Sequence, residues 1–467
     1  MVARVVIAAP GSGHGKTTIA AGLMAALRAA GHRVSGHKVG PDFIDPSYHA
    51  LATGRPARNL DPFLQGEDQL IPLLLHGSSG ADIAVIEGVM GLFDGALGTE
   101  GYASTAHVAR VLNAPVVLVV DASAASRSVA ATVLGFAHYD NRVRLAGVIL
   151  NKLGSQRHLD EIASALEATG VPLLGALYRN EEIHAPSRHL GLVPAAERAA
   201  DAQRTLPALA AWVADGVDLP AVVGIAHSAP SLAGPAWSPE RPNVALGALD
   251  APKAAFGASN APKATLGRMV VGAAGGAAFT FRYTENIELL EACGVDVVDV
   301  DPLRDKALPD GCAGLYFGGG FPEVHAAELS ANEELRAEVA AAIERGMPVN
   351  AECAGLLYLC RSLDGLPMVG ALDADAKMTP RGKLGYRRAV AVVDNLLATA
   401  GQRVTGHEFH RTEITPDHGE TAAWGWDRRL DGFASPTLHA SYLHTHWAGY
   451  PELAHRFAER AREFAHG

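Results

Sequence analysis

Short apolar runs alternate along this chain with segments in which apolar residues recur at helical spacing. The runs at 5–8 and 116–120 are rich in β-branched and aliphatic residues, which is typical of strands buried on both faces of a parallel sheet. The segment 19–27 has the apolar pattern of a helix and is followed by Gly31, a residue type that commonly ends one. The repetition of this order predicts α/β architecture with a doubly wound parallel sheet.

This alternation is lost between 226 and 267. Prolines recur there among alanine, serine, glycine and asparagine without a clear period, which is typical of a flexible linker or a long surface insertion. Strand and helix patterns resume at 268, and a chain of 467 residues is too long for one ordinary domain. We therefore predict two domains, 1–225 and 268–467, joined by a Pro/Ala-rich linker at 226–267.

The first apolar run leads into a glycine-rich loop and then a helical segment, which is the setting of a phosphate-binding loop. Lys16 would reach the outer phosphates and the Thr17 hydroxyl can hold Mg²⁺. Pro10 stands where the usual pattern has glycine, but a plain turn would not require a lysine at the helix start, where a cation opposes the dipole. Asn151, after a later strand, can read a purine edge or serve only as a turn residue. The predicted nucleotide-binding residues of the loop are Gly11, Ser12, Gly13, His14, Gly15, Lys16, Thr17 and Thr18.

Acidic residues follow other apolar runs of the first half. Asp42 and Asp45 lie on a proline-bounded loop after a strand, where open α/β sheets bind ligands, although both are also ordinary turn residues. Glu87 and Asp121 each end a buried strand, and such an acid is the usual second Mg²⁺ contact in a chain with a phosphate loop. We favour Glu87, because an acidic loop containing Asp94 follows it.

The second half carries a candidate nucleophile, Cys353, on a sharp strand-to-helix turn. A helix N-terminus beside a cysteine favours the thiolate. The remaining cysteines lack this setting and are predicted to be structural. A base can come from His444 or His446, or from the histidines of 406–410, and zinc at these pairs is disfavoured by the spacing. The three glycines at 318–320 can form an oxyanion hole or a simple turn.

Composition narrows the class of protein. The formal charge of −11 argues against a sequence-independent hold on nucleic acid or on an anionic membrane. Four cysteines do not make a disulfide framework, and the first strand starts too early for a signal peptide, so we expect a cytoplasmic protein. No apolar run reaches the roughly 18 residues of a membrane helix.

Together these motifs resemble the cobyrinic acid and hydrogenobyrinic acid a,c-diamide synthases, over nearly the whole chain outside the linker. The sequence Gly-Pro-Asp-Phe-Ile-Asp-Pro at 40–46 is the most diagnostic of them. The stretches that carry the resemblance are 13–18, 38–46, 58–61, 87–95, 318–323, 351–356, 384–387, 406–410 and 441–444.

The resemblance implies a phosphate-loop synthetase domain like that of dethiobiotin synthetase, followed by a class I-type glutamine amidotransferase domain. It implies that Cys353 is the glutaminase nucleophile and His444 its base. It further implies the following roles in the first domain: Thr17, Asp61 and Glu87 as Mg²⁺ ligands, Lys16 and Lys38 on phosphates, and Asp45 and Asp94 near the reacting carboxylate, with Asp42 on the same substrate loop.

The implied chemistry uses ATP, Mg²⁺ and glutamine to amidate the a and c side chains of a corrin ring polycarboxylate through acyl phosphates. A homodimer is one option for the assembly. Two positions depart from the family pattern: Ala354 replaces a glycine, and His446 stands where other class I glutaminases have glutamate, so that Glu408 is one option for the third triad member. The alternatives are cobyric acid synthase, nickel-sirohydrochlorin a,c-diamide synthase and a partitioning-type ATPase.

Overall fold

The computed structural model describes residues 2–180, 187–188, 191–192, 199–242 and 269–467, with 187–188, 191–192 and 199–203 described by their backbone only. The chain divides into two compact units, Met1–Ala236 and Trp237–Gly467. The domain boundaries at 225 and 268 stay predictions, because residues 243–267 of the predicted linker lie outside the described residues.

The first unit is built on a seven-stranded parallel sheet in the order β3-β2-β4-β1-β5-β6-β7. Strand β1 lies inside the sheet and is buried along its whole length, as its apolar sequence predicts. Its one charged residue, Arg4, donates from Nε to the Leu112 carbonyl oxygen at 2.6 Å and from Nη2 to that of Pro230 at 2.7 Å. The strands are β1 Ala3–Ala8, β2 Val34–Val39, β3 Arg58–Leu60, β4 Ile83–Glu87, β5 Val116–Asp121, β6 Leu145–Leu153 and β7 Leu173–Tyr178.

Along the chain, a helix stands between each strand of this sheet and the next strand of the same sheet, and the first helix follows the glycine loop, as a phosphate-loop fold requires. Helix α1 begins at Lys16, directly after Gly15, whose φ of 91° lies in the left-handed region that favours glycine. A short pair, β8 Ser187–Arg188 and β9 Gly191–Leu192, is antiparallel. The helices of this unit are α1 Lys16–Ala29, α2 Asp45–Thr53, α3 Pro62–Gln65, α4 Leu70–Gly77, α5 Thr105–Val111, α6 Ser128–Tyr139, α7 Gln156–Glu167, α8 Ala199–Gly216 and α9 Leu219–His227.

The second unit contains a six-stranded sheet in the order β11-β10-β12-β13-β21-β20, in which only the edge strand β20 is antiparallel to its neighbour. The strands are β10 Met269–Ala274, β11 Val295–Val300, β12 Cys312–Phe317, β13 Val349–Glu352, β20 Phe433–Ala434 and β21 Leu438–Ser441. The helices are α10 Thr284–Ala292, α11 Ala326–Ala331, α12 Glu333–Glu344, α13 Ala354–Leu359 and α14 Glu452–His466.

A second sheet of this unit is dominated by the long antiparallel pair β16–β17. Strand β22 pairs with β17, which places His444 opposite His407. The strands are β14 Cys360–Leu363, β15 Leu366–Pro367, β16 Leu372–Ala391, β17 Arg403–Thr415, β18 Trp424–Trp426, β19 Arg429–Asp431 and β22 His444–Thr445. The predicted α/β architecture is confirmed for both units: the sheet of the first is parallel, and the six-stranded sheet of the second is parallel except at β20.

Across the described parts of the chain, none of the helices combines the length and the apolar character that crossing a membrane requires.

Candidate active sites

The loop between β1 and α1 holds Lys16 in a buried position. Its Nζ donates to the Met90 carbonyl oxygen at 2.6 Å and to that of Gly11 at 3.4 Å. Burial, followed by the nearby charge of Lys38, lowers the pKa of Lys16 to about 8. The ammonium is thus placed beside the glycine loop, where phosphate oxygens would be the natural replacement for these carbonyl contacts.

A buried ionic cluster lies behind Lys16, at the carboxyl ends of β2 and β4. The Thr17 hydroxyl donates to Glu87 Oε1 at 2.6 Å and to Asp45 Oδ2 at 3.1 Å. Lys38 Nζ lies 2.6 Å from Asp45 Oδ2 and 2.9 Å from Glu87 Oε1. His49 Nε2 is 2.6 Å from the second oxygen of Glu87. The structure therefore brings together four predicted site residues from three separate strand ends and loops.

Their charges are shared unequally. Burial works against the anion of Glu87, but Lys38 and His49 together hold the pKa of this carboxyl well below its usual range. Burial raises the pKa of Asp45 well above its usual range, and the negative charges of Asp42 and Glu87 act in the same direction. Glu87 is consequently the carboxyl of the cluster that stays ionised most readily.

The sequence analysis missed His49, which the structure shows to be fully buried against Glu87. Its signal was the four-residue separation from Asp45, which places both side chains on one face of α2.

The oxygen donors of this cluster fit Mg²⁺, which prefers carboxylate and hydroxyl oxygens and keeps part of its shell for water and phosphate. Thr17 and Glu87 supply adjacent oxygens, 2.6 Å apart. Asp61, the third predicted ligand, follows β3 and caps α3, where its Oδ1 accepts the Phe63 N–H at 2.8 Å. Asp121, the alternative acid, instead pairs with Lys152 at 2.6 Å.

Asn151 contacts the phosphate loop directly. Its Nδ2 donates to the His14 carbonyl oxygen at 2.9 Å, and its Oδ1 accepts the Lys152 N–H at 2.8 Å. His14 Nδ1 in turn accepts the backbone N–H of Asp121 at 2.9 Å. The amide therefore braces the loop, a role that the strand-end pattern did not indicate. Gly15 allows this approach, because a Cβ there would lie 2.3 Å from Asn151 Nδ2.

Two of the predicted substrate residues shape the turns that carry them. Asp42 Oδ1 accepts the N–H groups of Ile44 at 2.8 Å and Asp45 at 3.1 Å. Asp94 Oδ2 accepts the Gly91 N–H at 2.9 Å. The turn chemistry weighed for Asp42 is thus present, and it still leaves the second oxygen of each carboxylate outside these bonds.

Cys353 occupies a strained strand-to-helix turn between β13 and α13. Its φ of 49° and ψ of −94° are unusual for a residue with a Cβ. Its N–H donates to the Ser441 carbonyl oxygen at 2.8 Å, which fixes the turn against β21.

The expectation that this turn favours a thiolate is wrong. Burial raises the pKa of the Cys353 thiol far above its usual range, and the charge of Glu323 adds to this effect. The N–H of Ala354, at the start of α13, opposes it only in part. A short helix does not compensate for desolvation, so the thiol needs a base to remove its proton.

His444 lies in a closely packed setting. Its ring stacks on His407 with centroids 4.8 Å apart and meets Phe281 edge-on at 4.9 Å. Burial, followed by the charge of His444, lowers the pKa of His407 well below its usual range, so His407 is a neutral neighbour. His444 Nδ1 is 3.4 Å from Glu352 Oε2.

The other residues considered for this site have partners of their own. Glu408 lies 2.6 Å from Arg387 Nε and 3.5 Å from His410 Nε2. The glycine stretch is only partly available as an oxyanion hole, because the Gly319 N–H donates to the Phe281 carbonyl oxygen at 2.9 Å.

Comparisons with known proteins match both halves of the chain. The model of the CobQ/CobB/MinD/ParA nucleotide binding domain matches residues 5–193, and that of the CobB/CobQ-like glutamine amidotransferase domain matches 271–451. The hydrogenobyrinate a,c-diamide synthase of Streptomyces coelicolor is 57% identical over 99% of this chain and 98% of that protein. The corresponding enzyme of Thermobifida fusca is 58% identical over 97% of this chain and 96% of its own. The cobyrinate a,c-diamide synthase of Gloeobacter violaceus is 42% identical over 98% of this chain and 96% of that protein.

Proposed function

This chain belongs to the family of cobyrinate and hydrogenobyrinate a,c-diamide synthases, and we propose that it uses ATP and glutamine to convert two carboxylates of hydrogenobyrinate into carboxamides. The observation that carries the proposal is the presence in one chain of a phosphate-loop cluster around Glu87 and a strained cysteine turn at Cys353. The first suits phosphoryl transfer and the second suits release of ammonia from an amide.

The metal-free ring acid is the favoured substrate. The two relatives named for hydrogenobyrinate are 57% and 58% identical to this chain, whereas the relative named for cobyrinate is 42% identical. These relatives are all named a,c-diamide synthases and align over nearly the whole chain, which favours a,c-diamide synthesis over cobyric acid or nickel-sirohydrochlorin amidation. A partitioning-type ATPase is disfavoured by the amidotransferase domain.

In the synthetase half, a carboxylate oxygen of the ring acid attacks the γ-phosphorus of ATP, and ADP leaves. Lys16 and Lys38 neutralise phosphate charge, and Thr17, Glu87 and Asp61 would hold Mg²⁺, which spreads the charge of the transferred group. Ammonia then attacks the acyl carbon of the acyl phosphate, and inorganic phosphate leaves. The carboxylates of Asp42, Asp45 and Asp94 would orient the ring acid and the ammonia.

In the glutaminase half, His444 takes the proton of the Cys353 thiol while the sulfur attacks the side-chain amide carbon of glutamine. The C–N bond breaks as His444 returns the proton to the leaving nitrogen, so that ammonia departs. Water then hydrolyses the thioester to glutamate and restores the thiol.

The test compares the wild-type chain with Cys353→Ala. Each is incubated with ATP, Mg²⁺ and either ring acid, with glutamine or with ammonium chloride as nitrogen source, and the product mass is measured. We expect a diamide from the wild type with both nitrogen sources, and from Cys353→Ala with ammonium only. Lys16→Ala is the matched control and should lose synthesis with both. Glutamine-dependent synthesis by Cys353→Ala would overturn the assignment of Cys353 as the nucleophile. A wild-type chain that forms no diamide from hydrogenobyrinate would overturn the assignment of the substrate.

A further inference from the structure

The residue before the cysteine is a buried carboxylate that faces His444. Glu352 Oε2 lies 3.4 Å from His444 Nδ1, and the two side chains are 4% and 1% exposed. A buried carboxylate without a partner is costly, so this placement requires compensation from its neighbours. Its second oxygen accepts the Thr445 hydroxyl at 3.2 Å. Glu352 is therefore tied to two consecutive residues of β22.

The backbone makes this arrangement specific. Glu352 ends β13 opposite Ser441 of β21, and the chain reaches β22 three residues after Ser441. Thr445 is itself held by Trp447, whose Nε1 donates to the threonine hydroxyl oxygen at 3.2 Å. The position of the carboxylate relative to the imidazole is thus set by strand pairing as well as by the side chains.

We propose that Glu352 is the positioning residue of the glutaminase reaction, the carboxylate that holds His444 in the tautomer and orientation needed to take the proton of Cys353. This inference rests on the proposed function. When Nδ1 carries the proton and faces Glu352 Oε2 at 3.4 Å, Nε2 is left as the acceptor for the thiol proton. The carboxylate also stabilises the imidazolium that forms when the proton is transferred.

Other buried acids of this unit are less suited to the role. Glu408 is 2.6 Å from Arg387 Nε, and Glu285 Oε2 is 3.4 Å from His446 Nε2. The Glu285–His446 pair has the same N···O distance and is also almost fully buried, but its imidazole is not the proposed base, which makes it a matched control. His446 occupies the sequence position at which the other class I glutaminases have their glutamate, and Glu352 approaches the base from the strand before the nucleophile instead.

The experiment measures glutamine hydrolysis and ammonium-supported synthesis in full-length Glu352→Gln, Glu352→Asp and Glu285→Gln. For Glu352→Gln we expect kcat of glutamine hydrolysis to fall about 10²–10⁴-fold with KM changed by less than about threefold, because the orienting charge is lost from a proton-transfer group. Ammonium-supported synthesis should stay at the wild-type level. Glu352→Asp should recover part of the lost kcat, and Glu285→Gln should stay within about tenfold of the wild type.

A second measurement needs no variant of Glu352. In protein labelled with ¹⁵N-histidine, the His444 signal is identified by its absence in His444→Gln, and we expect the Nδ1–H tautomer. The Nε2–H tautomer in the wild type would overturn the proposal, as would Glu352→Gln with wild-type kcat. Equal loss of glutamine- and ammonium-supported synthesis in Glu352→Gln would assign Glu352 a purely structural role and also overturn it. A wild-type chain that does not hydrolyse glutamine would overturn the proposed function itself.

Discussion

Lys16 shows how burial alters a residue whose type is set by a motif. The glycine-loop pattern predicts a cation at the start of α1, but not how firmly it keeps its proton. In the folded chain, burial and then Lys38 lower the pKa of Lys16 to about 8, so that its charge is lost within the range in which enzymes are commonly assayed.

This shift predicts a pH dependence of ATP binding. Free Lys16 is mostly cationic at pH 7 and mostly neutral at pH 9, and ATP binds the cation, so the Kd for Mg-ATP should rise about tenfold over this interval. Lys16→Arg keeps its charge at both pH values. Whatever its absolute affinity, its Kd should change by less than about twofold. Isothermal titration calorimetry at both pH values checks this, and equal slopes for the two proteins would contradict it.

At the residue scale, the sequence predicted the members of the phosphate cluster better than those of the glutaminase site. Thr17 and Glu87 follow from a motif and a strand end, and they are hydrogen-bonded to each other. His49 and Glu352 were missed because no motif gives either of them a role, and their partners are recognised only in the folded chain; His49 and Glu87 are 38 residues apart. The thiolate expectation for Cys353 failed because desolvation outweighs a nearby helix end, and a sequence does not report depth of burial.

At the scale of elements, the strands of the parallel sheets were the easiest to predict. Strands such as β4 and β5 are buried on both faces and therefore read as continuous apolar runs. The long pair β16–β17 gave a weaker signal, because the buried positions of its first part, Leu372, Ala374 and Ala376, alternate with exposed acids and lysine and two of them are only alanine. Small side chains give little periodic contrast even where the strand alternates perfectly.

The loop after β12 packs against the imidazole of His444, the proposed base. A Cβ on Gly319 would lie 2.6 Å from His444 Cε1 and 2.9 Å from Phe281 Cδ1. Gly319→Ala should therefore displace the imidazole and lower glutamine-supported synthesis about 100-fold, since misplacement of about 1 Å has this effect on a reacting group. Ammonium-supported synthesis should persist.

Gly425→Ala is the matched control for that experiment. Gly425 lies in β18 of the same unit, and the nearest atoms to a Cβ there are at an ordinary 3.6 Å. Both nitrogen sources should support normal synthesis in this variant. Normal glutamine-supported synthesis by Gly319→Ala would contradict this prediction, because it would show that a Cβ at position 319 does not displace the His444 imidazole.

On the scale of the whole molecule, the chain carries its two chemistries in two compact units, each with its own wholly or mainly parallel sheet. The order of the units was predictable, because the glycine loop and the cysteine turn lie on either side of a proline-rich stretch. The network that supports each site was not, since it depends on side chains that meet only after the sheets have formed. Asp431 belongs to such a network: its Oδ2 accepts the Ser441 hydroxyl and, at 3.2 Å, the Tyr442 N–H.

Asp431 makes the stability of the second unit depend on pH. Burial raises its pKa to about 7, so the folded chain holds a proton that the unfolded chain, with an ordinary carboxyl, releases near pH 4. Stability from this proton is present at acid pH and is lost as pH rises toward and through 7. Between pH 5 and 7.5 the second unit should lose about 2 kcal/mol of unfolding free energy relative to Asp431→Asn, which stays neutral throughout. Urea unfolding followed by circular dichroism at each pH measures this difference. Asp417→Asn, at an exposed site, should run parallel to the wild type, and an Asp431→Asn protein that does the same would mean that Asp431 is ionised in the folded chain.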